Sequence, residues 1–255
     1  MTVAEEILTS KKYASLYKPL VERICEEESK KYTNRKEQVK AAKNTLHSMY
    51  GAYLSNDIYK KAGKLMDSKQ PEGILPLHAS TKERLRDMQA FYDFIFEATG
   101  KADIVLDIGC GFNPFTLPYW PHKPAEYHAI DLDERIAEIN NRYLTSQALP
   151  ALAICGDAAV QTPAIPADTA FLFKLLPLLD RQAKGRSAAL LRELNARNIV
   201  VTYPIKSLSG KEKGMRTFYA SAFREITADD FTVIAEREIG MELVYVVTKN
   251  QAYSP

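Results

Sequence analysis

The amino-acid sequence predicts an α/β protein: a mostly parallel sheet flanked by helices, preceded by an all-helical N-terminal extension. Three observations predict it. Apolar residues in the first hundred positions recur at helical spacing, short apolar runs then alternate with longer amphipathic ones, and a glycine turn directly follows the first of those runs. With 255 residues the chain can bury roughly 70–75% of its unfolded surface, so its core needs no covalent staples.

The helical part comes first. Ile7, Leu8, Tyr13, Leu16, Leu20, Val21 and Ile24 fall on one helix face. A polar stretch from Glu26 to Lys40 follows, and Val39, Ala42, Leu46, Met49 and Tyr50 resume the period. Gly51, the Ser55-Asn56-Asp57 cluster and Gln70-Pro71-Glu72-Gly73 punctuate short helices. Ser80-Thr81-Lys82-Glu83 has the capping-box pattern and opens a helix through Leu85, Met88, Phe91, Tyr92, Ile95 and Phe96. From Ala102 onward, strands are expected at 104–106, 127–130, 151–154, 170–173, 199–201 and 243–248, separated by helical stretches. That alternation is the grammar of βαβ units. The expected division is a helical region over 1–98 and an α/β domain over 99–255, with no internal repeat.

Composition excludes several classes. At 46% hydrophobic and 26% charged residues, the chain is ordinary for a soluble globular protein. No apolar run approaches the roughly 18–20 residues of a membrane helix, and MTVAEEILTSKKY is not a secretory signal. Three scattered cysteines, Cys25, Cys110 and Cys155, suit neither a disulfide framework nor a zinc site, so no metal is expected and a cytoplasmic address follows. Net charge is only +2, yet residues 11–64 hold 13 Lys or Arg against 6 Asp or Glu, a local excess of +7. A face this basic suits a polyanion, with Lys11, Lys12, Lys30 and Lys31 as candidate contacts; a solvated helix surface is the alternative reading. A second basic segment, with Lys206, Lys211, Lys213 and Arg216 around Glu212 and two glycines, reads as a loop that could grip phosphates, with a plain surface loop as the alternative reading.

Chemistry concentrates in Asp107-Ile108-Gly109-Cys110-Gly111, directly after the first strand. Glycines there let the backbone turn tightly and approach a ligand, at the strand ends where open α/β sheets bind nucleotides. Twenty residues past Gly111, Asp131 ends the second strand, where a carboxylate accepts hydrogen bonds from both ribose hydroxyls. Asp157, in Cys155-Gly156-Asp157-Ala158, closes the third and can meet an adenine amino group. A dinucleotide fold needs G-x-G-x-x-G, but its third glycine is Pro114 here. Asp107 would also repel a pyrophosphate, yet can pair with the amino end of a methionine. The set therefore selects S-adenosylmethionine over NAD and makes the domain a Rossmann-like class I methyltransferase sheet; the competing reading has Asp131 and Asp157 merely capping turns.

Methyl transfer from a sulfonium is an in-line displacement, so the protein's main task is alignment. Phe171-Leu172-Phe173-Lys174-Leu175-Leu176-Pro177 after the fourth strand is neither the Asn-Pro-Pro-Tyr type used on exocyclic amines nor a Pro-Cys pair for carbon methylation. A ring nitrogen with a free lone pair, such as guanine N7, needs no base and fits such a site. Lys174 follows a buried strand, an expensive place for a lone ammonium unless it faces a cleft.

Leu77-His78-Ala79-Ser80-Thr81-Lys82-Glu83-Arg84-Leu85, Tyr92-Asp93-Phe94-Ile95-Phe96, the run from Phe173 to Leu179 and the segment Pro204-Ile205-Lys206-Ser207-Leu208-Ser209-Gly210-Lys211 resemble the 16S rRNA guanine-N7 methyltransferases of aminoglycoside resistance. So does Lys213-Gly214-Met215, and the resemblance spans nearly the whole chain. It implies methylation of guanine 1405 in the assembled 30S subunit and a block to gentamicin- and kanamycin-type drugs, with no membrane and no obligate protein partner. It also implies that His78, Ser80 and Arg84 close over the methionine end of the cofactor. Asp107, Gly109 and Gly111 would form the turn, Asp131 the ribose contact, and Asp157 with Ala158 the adenine contact. The catalytic candidates Lys174 and Asp180 would sit near the acceptor base, with Gln182 bordering the pocket. The family often has Ala at Gly109, and its Phe-Pro-Thr-Arg-Ser reads Tyr203-Pro204-Ile205-Lys206-Ser207, which trades a planar guanidinium for a point charge. Phe112 is a candidate for stacking on a flipped base, while Trp120 and the cysteines are assigned to packing. A small-molecule methyltransferase with a helical lid and a non-catalytic RNA-binding factor are the rival readings.

Overall fold

Alternation along the central strands decides how the sheet is covered. In the computed structural model, which describes residues 1–50, 56–205 and 214–250, neighbouring residues of these strands enter different cores. Val105, Phe171 and Val200 join Phe91, Tyr92 and Trp120 on one face, while Leu106, Leu172 and Val201 join Leu190, Leu191 and Phe223 on the other. Period-two alternation on a sheet covered on both sides requires this partition.

The strands are β1 (Ile104–Ile108), β2 (Glu126–Asp131), β3 (Ala153–Cys155), β4 (Ala167–Phe173), β5 (Ala196–Pro204), β6 (Phe231–Ile239) and β7 (Glu242–Lys249). Their order is β3-β2-β1-β4-β5-β7-β6. The first five pair in parallel, and β7 runs antiparallel to both β5 and β6. The chain winds outward from β1 to β3 on one side and from β4 onward on the other. That leaves a topological switch point between β1 and β4, where such sheets bind ligands.

The helices are α1 (Val3–Leu8), α2 (Lys18–Ser29), α3 (Arg35–Tyr50), α4 (Asn56–Asp67), α5 (Ala79–Arg84), α6 (Met88–Thr99), α7 (Glu134–Ser146), α8 (Leu176–Gln182), α9 (Arg186–Glu193) and α10 (Met215–Thr227). The first three enclose a small core of their own, built on Ile7, Leu20, Val21, Ile24 and Leu46. Helices α4 and α6 instead contribute Tyr59, Ala62, Phe91, Tyr92 and Ile95 to the first core of the sheet.

Several details differ from the sequence reading, among them the helix expected from Ser80 through Phe96, which is broken at Leu85–Asp87 into α5 and α6. The single apolar face from Ile7 to Ile24 belongs to two helices, because the chain turns at 9–17 and re-enters with Pro19 in the first turn of α2. The capping box at Ser80 does not form. The N-cap residue is His78, Thr81 donates its hydroxyl to the carbonyl of Leu75 at 2.6 Å, and the Glu83 carboxylate is drawn to Lys174. Strand β6 was not expected, since its outward-facing residues are largely polar and it forms the sheet edge.

Candidate active site

A cleft opens at the C-terminal ends of β1 to β4, where open α/β sheets bind their ligands. Gly109 (φ +71°) lines it, and Gly111 (φ +50°) turns the chain behind the His78 ring, both in the left-handed region that favours glycine. The Gly111 amide donates to Asp131 Oδ2 at 2.8 Å, and a Cβ added there would lie 2.8 Å from His78 Cε1. The tightness of the turn therefore comes from the imidazole packed on it as well as from the backbone. His78 is itself buried, packs edge-to-face on Phe112, and is held neutral by burial and by nearby Lys174 and Arg84, which bring its pKa down to about 4.

Two carboxylates mark the ends of β1 and β2. Asp131 lines the cleft and accepts from the amides of Gly111 and Leu132; burial pushes its pKa up to about 6 against those hydrogen bonds. Asp107 is fully buried. Its Oδ2 accepts from the Tyr127 hydroxyl at 2.6 Å and from Asn113 Nδ2 at 2.8 Å, whereas its Oδ1 has no hydrogen-bond partner among the described residues. Burial raises this carboxyl to about 6 as well, opposed by the hydrogen bonds from Tyr127 and Asn113. A buried carboxylate oxygen without a donor requires an explanation, and the ammonium of a methionine moiety supplies one. With a second carboxylate, Asp131, on the cleft wall and Gly109 leaving room for a ligand between, the residues fit S-adenosylmethionine.

At the far end, Asp157, Ala158 and Gln182 line the cleft, with a partner that the sequence did not reveal. Arg23, from α2, donates through Nη2 to Asp157 Oδ2 (3.1 Å) and to Gln182 Oε1 (2.9 Å). Next to it the chain clasps the loop after β2: the Tyr17 amide donates to the Leu132 carbonyl and the Glu134 amide to the Ser15 carbonyl, both at 2.8 Å. Leu16, Tyr50 and Tyr59 complete this wall. An arginine inside Val21-Glu22-Arg23-Ile24 reads as solvated helix surface, so only the fold discloses its role.

On the β4 side the predicted residues separate. Ser80 and Lys174 line the cleft. Lys174 adopts a left-handed backbone (φ +56°), and its ammonium lies 2.5 Å from Glu83 Oε2 and 3.1 Å from Glu242 Oε1. Arg84 does not line the cleft. It is buried beneath it, pairs with both Glu242 oxygens at 2.9 and 3.1 Å, reaches Asn113 Oδ1 at 3.3 Å, and lies over the rings of Phe91 and Phe173. Its position supports Asn113 and thereby Asp107. Asp180 is exposed and accepts from the Ser187 amide at 3.0 Å near the start of α9, outside the cleft lining. Phe112 is fully buried between His78 and Phe115, so it cannot stack on a base. Trp120 is buried among Tyr92, Phe96 and Tyr127, as its assignment to packing requires.

The profile of the ribosomal RNA methyltransferase (FmrO) family matches residues 9–246. The chain belongs to that family. It is 36% identical over 244 residues, 96% of each chain, to a Serratia marcescens protein named 16S rRNA (guanine(1405)-N(7))-methyltransferase. Among solved structures it is similar to the 16S rRNA methyltransferase RmtF in complex with S-adenosyl-L-homocysteine (TM-score 0.89, 32% identity, 97% of each chain). It is also similar to the 16S rRNA methylase RmtB (TM-score 0.85, 32% identity, 97% of each chain).

Lys11 is exposed, and Lys12 Nζ lies 3.0 Å from His47 Nδ1. Lys30 and Lys31 are exposed but share their charge with Glu26 and Glu28, and Arg216 pairs with Glu238 at 3.0 Å. Lys206, Lys211 and Lys213 lie outside the described residues. No helix among the described residues is long and apolar enough to cross a membrane.

Proposed function

We propose that this rRNA methyltransferase uses S-adenosylmethionine to methylate N7 of guanine 1405 in 16S rRNA of the assembled 30S subunit, in the cytoplasm. By doing so it confers resistance to gentamicin- and kanamycin-type aminoglycosides. The observation that carries this reading is the 36% identity, over almost the full length of both chains, to a relative named for that reaction.

When bound, S-adenosylmethionine supplies an electrophilic methyl group. Asp107 holds the ammonium of its methionine end, with His78 and Ser80 alongside; Asp131 holds the ribose, and Asp157, Ala158 and Gln182 hold the adenine. Guanine N7 has a free lone pair, so no residue need remove a proton. A His78 kept neutral by burial agrees with this, because it packs the turn and takes no part in proton transfer. Alignment and water exclusion are then the protein's contribution. Lys174 sits beside the acceptor base. Residues 1–98 dock on rRNA largely through phosphate contacts of Lys11, Lys12, Lys30 and Lys31, the separate basic segment with Lys206, Lys211, Lys213 and Arg216 adds its own, and no obligate protein partner is needed.

Labelled methyl transfer to intact 30S subunits, to naked 16S rRNA and to a small-molecule extract tests the proposal. Reduction and aniline cleavage then map any 7-methylguanine. Label on 30S with cleavage at nucleotide 1405 is expected; label in the extract alone, or none on 30S, would refute the ribosomal reading.

A further inference from the structure

Four charged side chains meet where β4 ends: Arg84 and Lys174, Glu83 and Glu242. Two cations and two carboxylates balance, so a ligand entering there meets no uncompensated charge. The inner pair is committed, since Glu242 is 2% exposed and grips Arg84 through both oxygens. The outer pair is less enclosed. Lys174 lines the cleft, and the Glu83 side chain keeps a third of its surface exposed, one turn beyond Ser80, which also lines the cleft. Lys174 is held in a left-handed backbone conformation although it is not glycine; such strain persists where surrounding structure enforces it, and it concentrates at functional sites.

Resting on the assignment of a purine N7 acceptor, we propose that Lys174 and Glu83 together read the identity of that base. Lys174 donates to guanine O6, and Glu83 accepts from guanine N1–H and N2–H. Only guanine and adenine carry an N7. Next to it, guanine presents an acceptor (O6) and then a donor (N1–H); adenine presents a donor (N6–H) and then an acceptor (N1). An ammonium beside a carboxylate, 2.5 Å apart, complements the first order and opposes the second. Methylation leaves a positive charge on the ring and makes N1–H a stronger donor. The Glu83 contact therefore strengthens in the transition state and acts on kcat more than on KM.

The test uses the full chain with labelled S-adenosylmethionine and 30S subunits carrying either G1405 or A1405. Glu83→Gln should lower kcat on G1405 subunits roughly ten- to hundredfold, with KM for subunits and cofactor affinity held within about twofold. Its amide can donate to adenine N1, so the preference for guanine over adenine should narrow at least about tenfold. Glu83→Asp keeps the acceptor and should keep the preference. A slower Glu83→Gln enzyme with an unchanged preference would make Glu83 a mere support for Lys174 and overturn the proposal, as would a Glu83→Asp enzyme that lost the preference. Wild-type protein that failed to label G1405 subunits would overturn the functional reading itself, and that arm is independent of both variants.

Discussion

Arg84→Ala separates two roles that the sequence could not tell apart. The resemblance places Arg84 over the cofactor; the structure puts it under the cleft, with the side chain 3% exposed and its partner Glu242 2% exposed. Burial opposes the guanidinium charge, but Glu242, reinforced by the nearby Tyr92 and Asp107, more than offsets it and raises the Arg84 pKa. Removing one partner of such a pair strands the other, at a cost of about 3–5 kcal/mol. Here Lys174 remains 3.1 Å from Glu242 and softens the loss, so the lower half of that range is expected. Packing against Phe91 and Phe173 and the hydrogen bond to Asn113 are lost as well. For a chain of this size, roughly 3 kcal/mol corresponds to a melting temperature lower by about 6–12 °C. Thermal unfolding of the unliganded protein, followed by calorimetric titration of S-adenosylmethionine below the transition, reads both quantities. A large drop in melting temperature with cofactor affinity reduced only several-fold is expected. Wild-type melting with cofactor binding abolished would refute the argument and return Arg84 to the cofactor.

Other predictions follow from the same geometry. Arg23→Ala should weaken cofactor affinity roughly five- to tenfold by releasing Asp157 and Gln182; unchanged affinity by calorimetry would detach α2 from the site. Asp107 and Asp131 titrate near pH 6 in the unliganded protein instead of the ordinary 3.8, so the folded state holds their protons more tightly than the unfolded chain. Stability of the unliganded protein should thus fall as pH rises from about 3.8 through about 6. Cofactor affinity, which needs the ionised carboxylate, should rise over the approach to pH 6 and level above it, being about tenfold weaker at pH 5 than at pH 7. A pH-independent affinity would exclude Asp107 as the partner of the ammonium. Lys174→Ala should lower turnover more than cofactor affinity, and the reverse pattern would move Lys174 into the cofactor pocket. Charge reversal of Lys11, Lys12, Lys30 and Lys31 should weaken 30S binding and flatten its salt dependence in a filter-binding series, with Lys11 contributing more than the paired Lys30 and Lys31. Equal slopes would remove these lysines from the interface.

What was legible in the sequence is what depends on short-range grammar. Strand β1 followed by Asp107-Ile108-Gly109-Cys110-Gly111 dictates a turn at a sheet's C-terminal edge. Regular spacing then brings Asp131 and Asp157 to the ends of the next two strands, whatever the details of packing. Helix ends were less legible, because they depend on competition for side chains. Glu83 satisfies the capping-box pattern, yet an ammonium at 2.5 Å is a stronger partner than a backbone amide, so tertiary structure takes the carboxylate away. Strand β6 escaped notice for a related reason: Glu236, Arg237 and Glu238 look like loop residues until β7 and the sheet edge account for them.

Long-range partners were not legible at all. Asp157 and Arg23 are separated by 134 positions, and Arg84 and Glu242 by 158, so no periodicity connects them. Yet these two contacts hold the opposite ends of the cleft. Arg23 ties Asp157 to a helix whose own core lies with α1 and α3, and Arg84 ties Asp107, through Asn113, to Glu242 of the antiparallel strand β7. A ligand that shifts α2 acts on Asp157 through Arg23, and by linkage a ligand held by Asp157 acts equally on α2. If α2 carries part of the rRNA contact, cofactor and subunit then change each other's affinity by the same factor, without any direct contact between the two ligands.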